Sequence, residues 1–149
     1  MLIGLDHRLT PDLLYALAAM GHGDEIVVAD ANYPCTAHAR DMVITSPIQL
    51  SGLTTADAID IITSIMPLDG FTDYAALRMQ VDGKPDEMTL AHTAAFDIMR
   101  PRLPEGGTLS SIERQAFYAK ARTAFAIVHT SEFLPFGCFI LRKGVVFSV

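Results

Sequence analysis

The sequence predicts a single layered α/β domain over residues 1–149, built around a mixed, partly parallel sheet. Strand-like segments alternate with helix-like segments along the chain, which is the pattern of a sheet covered by helices. Half of the 149 residues are hydrophobic and the mean hydropathy is +0.31, so the chain has enough apolar surface for one sizeable core. Closely spaced strand-like segments at the end of the chain, joined by a short turn at Lys143–Gly144, add an antiparallel component.

The first part of the chain predicts two helices and two strands. "TPDLLYALAAMG" (10–21) has a threonine cap, a proline in its first turn and a closing glycine, as helices prefer. "EIVVA" (Glu25–Ala29) is a short apolar run, typical of a buried strand. We expect a loop from Asp30 to about Arg40, followed by a short strand in "DMVIT" (41–45). Apolar residues then recur at helical spacing from Thr55 to Met66.

The second part of the chain predicts two helices and five short strands. "DEMTLAHTAAFDIM" (86–99) has a helical pattern that ends at Pro101, and "RQAFYAKART" (114–123) forms the last helix. The strands are predicted in "YAALRMQV" (74–81), "TLSSI" (108–112), "FAIVHT" (125–130), "CFILR" (138–142) and "VVFS" (145–148).

Composition and charge exclude several classes of protein. The formal net charge of −6 argues against binding to a nucleic-acid backbone, which requires a basic face. No apolar run approaches the ~20 residues needed to span a membrane, and "MLIGLDHRLTPD" has no signal-peptide pattern. Cys35 and Cys138 are far apart and form no metal or redox motif, so we expect them to be reduced. The sequence therefore predicts a soluble, cytoplasmic protein that binds neither nucleic acid nor membrane.

The apolar character of the chain also bears on its assembly. The C-terminal "VVFSV" is almost wholly apolar, and the hydrophobic content is high for a small chain. Both features favour a surface buried against other copies, that is, a homo-oligomer. A monomer rich in apolar residues would have the same composition, so composition alone leaves the alternative open.

His22 and Asp30 flank the first predicted strand. His22 stands between two glycines just after the first helix, where exposed carbonyls favour a protonated imidazole and the glycines leave space for a small ligand. The alternative is a capping histidine in a glycine-rich turn. Asp30 follows the carboxyl end of the strand, which is where ligands usually bind in α/β sheets. The alternative is an Asx turn in which "DAN" bonds its own backbone.

Three further polar residues are candidates for binding. Asp69 follows "MPL" beyond a helix, and in local terms it is an ordinary turn aspartate. Arg114 and Tyr118 are four residues apart on a predicted helix and therefore share a face. Together they form a donor-rich patch that suits a polyol, although such a face is more often simply solvated.

Motifs for other kinds of chemistry are missing from the sequence. His7 and His92 stand in polar contexts that predict exposure, His38 falls in the predicted loop, and His129 ends a strand. No pair of histidines has metal-ligand spacing, so no metal site is expected. There is no phosphate loop, dinucleotide fingerprint or serine elbow, and nucleotide chemistry is therefore disfavoured.

Three stretches carry a resemblance to a known family. "MGHGDEIVVADANYP", "RQAFYAKARTAFAIVHT" and "GCFILRKGV" resemble the RbsD/FucU family of D-ribose pyranases and L-fucose mutarotases, in the right order and over nearly the whole chain. The "GHGDEIV" and "AFYAKA" blocks are closer to the fucose branch. The resemblance implies an α/β/α domain, a cofactor-free sugar mutarotase, and assembly into pentameric or decameric rings with sites at or near subunit interfaces.

The resemblance also implies roles for individual residues. His22 matches the catalytic proton donor and Asp69 a second acidic residue of the catalytic site, while Asp30 matches a ligand-binding aspartate. It leaves open which carboxylate accepts the second proton of the reaction. The remaining matches are substrate contacts, namely Met79, Arg114 and Tyr118.

One loop departs from the family pattern. The family usually has a tyrosine, a small residue and an asparagine where this chain has Phe136, Gly137 and Cys138, and both polar side chains of the family triplet touch the sugar. The resemblance therefore implies that Phe136 and Cys138 are substrate contacts as well. Phenylalanine lacks the hydroxyl, and cysteine is a weak hydrogen-bonding group. Loss of two partners for the sugar is expected to change specificity or affinity. We therefore expect a mutarotase for L-fucose or a related sugar, and the alternative is a sugar-binding or sugar-sensing protein without catalysis.

Overall fold

The computed structural model describes residues 1–148, in which helices cover both faces of a six-stranded sheet. The last residue of the apolar segment "VVFSV" lies outside the described residues. In chain order the elements are α1 (Pro11–Ala19), β1 (Glu25–Ala29), α2 (Cys35–Ala39), β2 (Ile48–Leu50), α3 (Thr55–Thr63), β3 (Ala76–Met79), α4 (Leu90–Met99), a 3₁₀ turn (Arg100–Arg102), β4 (Leu109–Ile112), α5 (Arg114–Ala121), β5 (Ala126–Thr130) and β6 (Phe139–Arg142).

The strand order is β2-β5-β1-β6-β3-β4. The pairs β2–β5, β1–β5 and β3–β4 are parallel, whereas β6 is antiparallel to both β1 and β3. The mixed, partly parallel sheet predicted from the sequence is therefore confirmed. Because β1 and β3 both oppose β6, they run in the same direction and their carboxyl ends lie at one edge of the sheet.

Two apolar cores cover the two faces of the sheet. Ile26 and Val28 point to the face packed by α1, α3 and α4, and Val27 and Ala29 point to the face packed by α2 and α5. This alternation follows from the two-residue period of a strand. Since both faces are covered, every residue of β1 is buried, and the run "EIVVA" is apolar in all but its first position. The layers are thus α/β/α.

Threonine side chains begin three of the helices. Thr10 accepts a hydrogen bond from the backbone N–H of Leu13 at the start of α1. Thr54 and Thr89 begin α3 and α4 with capping boxes, in which the threonine oxygen and the side chain three residues later each bond the other's backbone N–H.

Three predictions of secondary structure are wrong. Residues 41–45 form turns, and the strand begins only after Pro47; Ile44 reaches the sheet through one bond, from its N–H to the carbonyl of Phe125. Residues 145–148 form no strand, because the pairing of the last strand ends with a bridge between Leu68 and Lys143. The antiparallel component comes from β6 instead. The predicted loop after Asp30 contains the short helix α2.

Within residues 1–148, no helix combines the length and the apolar character that crossing a membrane would require.

Candidate functional site

A cavity of about 190 Å³ opens at the edge of the sheet where β1 and β3 end. Carboxyl ends of strands are the usual place for ligands in α/β sheets. All six residues that were predicted as substrate contacts line it. The full lining consists of Asp30, Asn32, Tyr33, Met79, Arg114, Tyr118, Pro135, Phe136 and Cys138.

Asp30 places a buried carboxyl group at this cavity. It follows β1 directly and is only 7% exposed. Its Oδ1 accepts a hydrogen bond of 3.1 Å from the backbone N–H of Asn32, so the Asx turn that the sequence offered as the alternative is formed. Burial raises the pKa of the Asp30 carboxyl, against the opposing effect of hydrogen bonds from Cys138, Asn32 and Tyr33. A carboxylate has about four lone-pair sites, so the turn and a sugar hydroxyl can share this group.

The wall of the cavity at Phe136 is fixed by a buried histidine. Phe136 has a φ of 59°, in the left-handed region that few non-glycine residues adopt. His92 Nε2 lies 2.8 Å from the carbonyl oxygen of Phe136, and His92 Nδ1 accepts from the backbone N–H of Thr89. His92 is fully buried, so its predicted exposure is wrong. Burial lowers the pKa of His92, which keeps the ring neutral with its proton on Nε2.

Cys138 contributes little hydrogen bonding to the cavity. It is 1% exposed, and its Sγ accepts a weak hydrogen bond of 3.4 Å from the backbone N–H of Asp30. Burial raises the pKa of the Cys138 thiol well above its usual range, so the group stays a thiol. Since Phe136 has no hydroxyl, this side of the cavity is largely apolar.

Arg114 and Tyr118 form the opposite wall. They share one face of α5, as their spacing predicted. Arg114 Nε donates to the two carboxylate oxygens of Asp82, at 3.1 and 3.0 Å, and the Arg114 guanidinium lies 5.8 Å from the centre of the Tyr118 ring. Asp82 therefore holds the guanidinium at the mouth of the cavity.

Sequence reasoning missed Tyr33 as a lining residue. Its ring packs edge-on against Tyr118 at 5.4 Å, and its hydroxyl lies 2.9 Å from Nδ1 of the buried His38. Burial raises the pKa of the Tyr33 hydroxyl and lowers that of His38, so both groups stay neutral. Tyr33 and Asn32 stand within three residues of Asp30 in "DANYP", and that proximity was the available signal.

His22 and Asp69 form a hydrogen-bonded pair in a different place. His22 lies in the turn between α1 and β1, with Nε2 at 2.9 Å from Oδ1 of Asp69. The His22 side chain is 46% exposed, whereas that of Asp69 is 0% exposed. The ring of Phe71 stands edge-on to the imidazole at 5.6 Å. A buried carboxylate thus orients a half-exposed imidazole, which is the arrangement of an acid–base group.

The surroundings of Asp69 keep its carboxylate charged. Burial raises the pKa of Asp69, but hydrogen bonds from the Thr72 hydroxyl, His22 and the Phe71 N–H outweigh burial and lower it overall. A charged carboxylate can only accept, so His22 donates through Nε2. The tautomer assigned in this way leaves the lone pair of neutral His22 on Nδ1.

The carbonyl end of α1, which was expected to act on His22, is occupied by another residue. The ammonium group of Lys143 occupies that position, where it donates to the carbonyl oxygens of Leu17 at 2.7 Å and Met20 at 2.5 Å. A cation at the end of a helix satisfies its free carbonyl groups. His22 is therefore free to pair with Asp69 rather than cap the helix.

The two parts of the predicted site do not meet within one chain. His22 precedes β1 and Asp30 follows it, so the pair and the cavity lie at opposite edges of the sheet. A strand rises about 3.3 Å per residue, so the five residues of β1 alone span about 13 Å. The structure therefore brings the six predicted substrate contacts together, and separately brings the two predicted catalytic residues together.

Within residues 1–148, no three histidine, cysteine, aspartate or glutamate side chains are grouped so as to hold a metal ion.

Comparisons with known proteins agree over nearly the full length. The model of the RbsD / FucU transport protein family matches residues 4–146. The fucose mutarotase of Homo sapiens is 37% identical over 146 residues, covering 96% of this chain and 93% of that protein. The fucose mutarotase of Danio rerio is 35% identical over 149 residues, covering 98% and 95%. A crystal structure of the Streptococcus pneumoniae fucose mutarotase in complex with L-fucose is 34% identical, with a TM-score of 0.86 and coverage of 98% and 100%.

Proposed function

The chain belongs to the RbsD/FucU family, and from this membership we propose that it is a monosaccharide mutarotase, an isomerase that interconverts the anomers of L-fucose or a related sugar. Mutarotation opens a cyclic hemiacetal and closes it on the other face. The ring oxygen gains a proton while the anomeric hydroxyl loses one, and closure reverses both transfers. The reaction therefore requires an acid and a base beside a pocket that holds the sugar.

The observation that carries this proposal is the pair of His22 and Asp69. Nδ1 of His22 is the transferring atom, because Nε2 is bonded to Asp69. Its lone pair takes the proton of the anomeric hydroxyl as the ring C–O bond breaks, and the imidazolium gives that proton to the ring oxygen; closure reverses both transfers. One such acid–base group contributes about 10²- to 10⁴-fold in rate. Asp69 supports the positive charge that forms on His22 when the imidazole holds two protons.

We assign substrate binding to the cavity at the ends of β1 and β3. Asp30 accepts from a sugar hydroxyl, and Arg114 and Tyr118 donate to other sugar oxygens. Met79 and Phe136 provide apolar surface for the carbon face of the ring. Phe136 and Cys138 offer no strong donor or acceptor, so we propose a preference for a sugar with few hydroxyls on that side.

A complete site requires two copies of the chain. The His22–Asp69 pair and the cavity lie at opposite edges of one sheet, so His22 of one subunit must face the cavity of a neighbour. Exposed aromatic residues accompany the His22–Asp69 pair: Phe71 stands edge-on to His22, and Phe147 packs against Phe71. Exposed Phe133 lies two residues before Pro135 of the cavity lining. A head-to-tail contact of this kind closes into a ring, and we propose a pentameric or decameric ring.

Two reduced cysteines fit a cytoplasmic location. Cys35 and Cys138 are both buried and unpaired in residues 1–148. Because free buried thiols persist in a reducing compartment, we propose that the protein acts in the cytoplasm.

The experiment is anomer exchange measured by NMR on L-fucose, D-ribose and D-galactose. We expect the wild type to accelerate exchange of at least one sugar, and His22→Ala to lose about 10²-fold or more of that acceleration. His7→Ala is the matched control, because His7 is an exposed histidine outside both parts of the site. Equal exchange rates with and without protein for every sugar would exclude the mutarotase.

A sugar-binding protein without catalysis is the second candidate. It is favoured by the largely apolar wall formed by Phe136 and Cys138, where the family has two polar side chains. The same samples separate the two functions. Saturable sugar binding in calorimetry, together with unchanged anomer exchange, would support the second candidate over the first.

A further inference from the structure

A chain of hydrogen bonds continues from His22 beyond Asp69. Asp69 Oδ2 accepts from the hydroxyl of Thr72 at 2.5 Å, and the Thr72 oxygen accepts from Nη1 of Arg142 at 2.7 Å. The guanidinium of Arg142 is itself fixed, since it stacks 4.0 Å from the centre of the Tyr74 ring and lies 3.4 Å from Oε2 of Glu25. The Arg142 side chain is only 15% exposed.

The direction of the bonds in this chain follows from Arg142, at the end far from His22. A guanidinium has donors and no acceptor, so the Thr72 oxygen must accept from Arg142. Its single hydroxyl proton then has two acceptors within reach, Asp69 Oδ2 at 2.5 Å and the carbonyl oxygen of Tyr74 at 3.2 Å, and the shorter bond to the charged carboxylate is the stronger one. Asp69 in turn requires a donor from His22, which places the ring proton on Nε2 and the lone pair on Nδ1.

We infer that Thr72 and Arg142 are positioning residues that fix the tautomer of His22, so that its Nδ1 is always the nitrogen that exchanges a proton with the sugar. This inference rests on the proposed role of His22 as the proton donor. Neither residue touches the cavity, and both act through Asp69.

The burial of Asp69 makes the contribution of Thr72 specific. Asp69 is 0% exposed, so the groups that stabilise its charge come from the protein: the Phe71 N–H, the Thr72 hydroxyl and His22. Removal of the Thr72 hydroxyl leaves Oδ2 without its donor, so the carboxylate is held through Oδ1 alone and its orientation toward His22 is less well fixed. Bonds to charged groups are among the strongest in proteins, so this loss is larger than that of an ordinary surface hydroxyl.

The test compares Thr72→Val with Thr72→Ser in the full-length protein. Ring ¹H–¹⁵N correlation spectra of ¹⁵N-histidine protein report the tautomer of His22 directly. We expect the wild type and Thr72→Ser to show the Nε2–H form alone. We expect Thr72→Val to show a mixture of both forms and about a tenfold lower kcat, with KM changed less than twofold.

Thr108→Val is the matched control, because the Thr108 hydroxyl bonds the nearby carbonyl of Asp73 and has no link to Asp69. It should leave both the spectrum and kcat unchanged. Thr72→Ala is the second variant, for use if Thr72→Val does not fold. It removes the same hydroxyl without adding the second methyl group of valine.

Two results would overturn the inference: an unchanged His22 tautomer when the Thr72 hydroxyl is removed, or a loss of activity in Thr72→Ser equal to that in Thr72→Val. The proposed function fails separately. If His22→Ala retains full anomer exchange while Thr72→Val still alters the tautomer, the hydrogen-bond chain stands and His22 is not the proton donor.

Discussion

Arg78 is a charged residue in the interior that the proposed chemistry does not use. It is 6% exposed, and its Nη2 donates to the carbonyl oxygen of Pro85 at 2.9 Å. Its Nη1 is a buried atom without a hydrogen-bond partner in residues 1–148. Burial lowers the pKa of the Arg78 guanidinium, with an opposing effect from Asp86. A buried donor without a partner costs about 1–3 kcal/mol, so Arg78 lowers the stability of the fold.

We predict that Arg78→Met increases the free energy of unfolding by about 1 kcal/mol, because methionine fills a similar volume and removes the unpaired charge. Urea unfolding followed by circular dichroism measures the change. Arg100→Met is the control: Arg100 is 62% exposed and pairs with exposed Asp97, so its loss should stay within about 0.5 kcal/mol. A destabilised Arg78→Met protein would show that the guanidinium contributes more than its contacts indicate.

His92 shows why some single residues were mispredicted. Its neighbours in "DEMTLAHT" are polar, and local polarity indicates exposure. In the structure, both ring nitrogens bond the backbone: one completes the capping box of Thr89, and the other holds the carbonyl of Phe136, 44 residues away. The long-range partner cannot be predicted from local pattern. The position of Asp30 at the cavity, by contrast, could be predicted, because a residue that directly follows an apolar strand lies at the ligand edge of an α/β sheet.

At the level of elements, Lys143–Gly144 joins three segments around His22. The backbone of Lys143 bonds Gly23 and Asp24 in the His22 turn, at 2.9 Å each, and its ammonium closes α1. The N–H of Gly144 donates to the carbonyl of Pro67, two residues before Asp69. The turn that follows β6 therefore holds the His22 segment and the Asp69 segment together.

Gly144 allows this close approach because it has no side chain. A Cβ atom at Gly144 would lie 2.4 Å from the carbonyl oxygen of Leu68 and 3.0 Å from Cα of Asp69. We predict that Gly144→Ala lowers the free energy of unfolding by about 2 kcal/mol or more, since backbone atoms must move to admit the methyl group. The displaced segment carries Asp69, so anomer exchange should fall as well.

Gly21→Ala is the control for this substitution. The nearest atom to a Cβ there is Oδ2 of Asp24 at 3.7 Å, an ordinary contact distance, so thermal unfolding should shift little. Equal melting temperatures for Gly144→Ala and Gly21→Ala would contradict the importance of the close approach at Gly144.

Each wrong prediction of a strand or helix has a physical cause. "DMVIT" and "VVFS" are apolar enough for strands, but a strand also requires a neighbour with free backbone groups. Residues 41–45 reach β5 through one bond only, and residues 145–148 follow the end of the pairing with Leu68. α2 was missed because a five-residue helix is too short for a periodic pattern to show.

For the whole molecule, the fold class was predicted from the sequence. The separation of the His22–Asp69 pair from the cavity was not predicted. The alternation of strands and helices predicts the layers, and the position of Asp30 predicts the edge of the sheet that carries the cavity. Yet His22 and Asp30 flank the same strand, and the two ends of an extended strand must face opposite edges. The sequence therefore already indicated that His22 and Asp30 are held apart within one chain, and this separation supports the proposed site between two copies.

This requirement predicts complementation between two inactive variants. In His22→Ala, every chain keeps its cavity, and in Asp30→Asn every chain keeps its His22–Asp69 pair. When the two variants are co-expressed in equal amounts, a site is intact if its His22 comes from an Asp30→Asn chain and its cavity comes from a His22→Ala chain. Random assembly makes each condition true for half of the contacts, so about one quarter of wild-type anomer exchange should return.

The control is the double variant with both substitutions in every chain, which has no intact site in any assembly and should stay inactive. Mixing the two purified variants without subunit exchange should also give no recovery, because each ring then contains one kind of chain. If co-expressed, co-purified hybrids show only the sum of the two separate residual rates, His22 and Asp30 do not act across an interface. Catalysis would then have to take place within one chain, although the extended strand β1 holds His22 and Asp30 apart there.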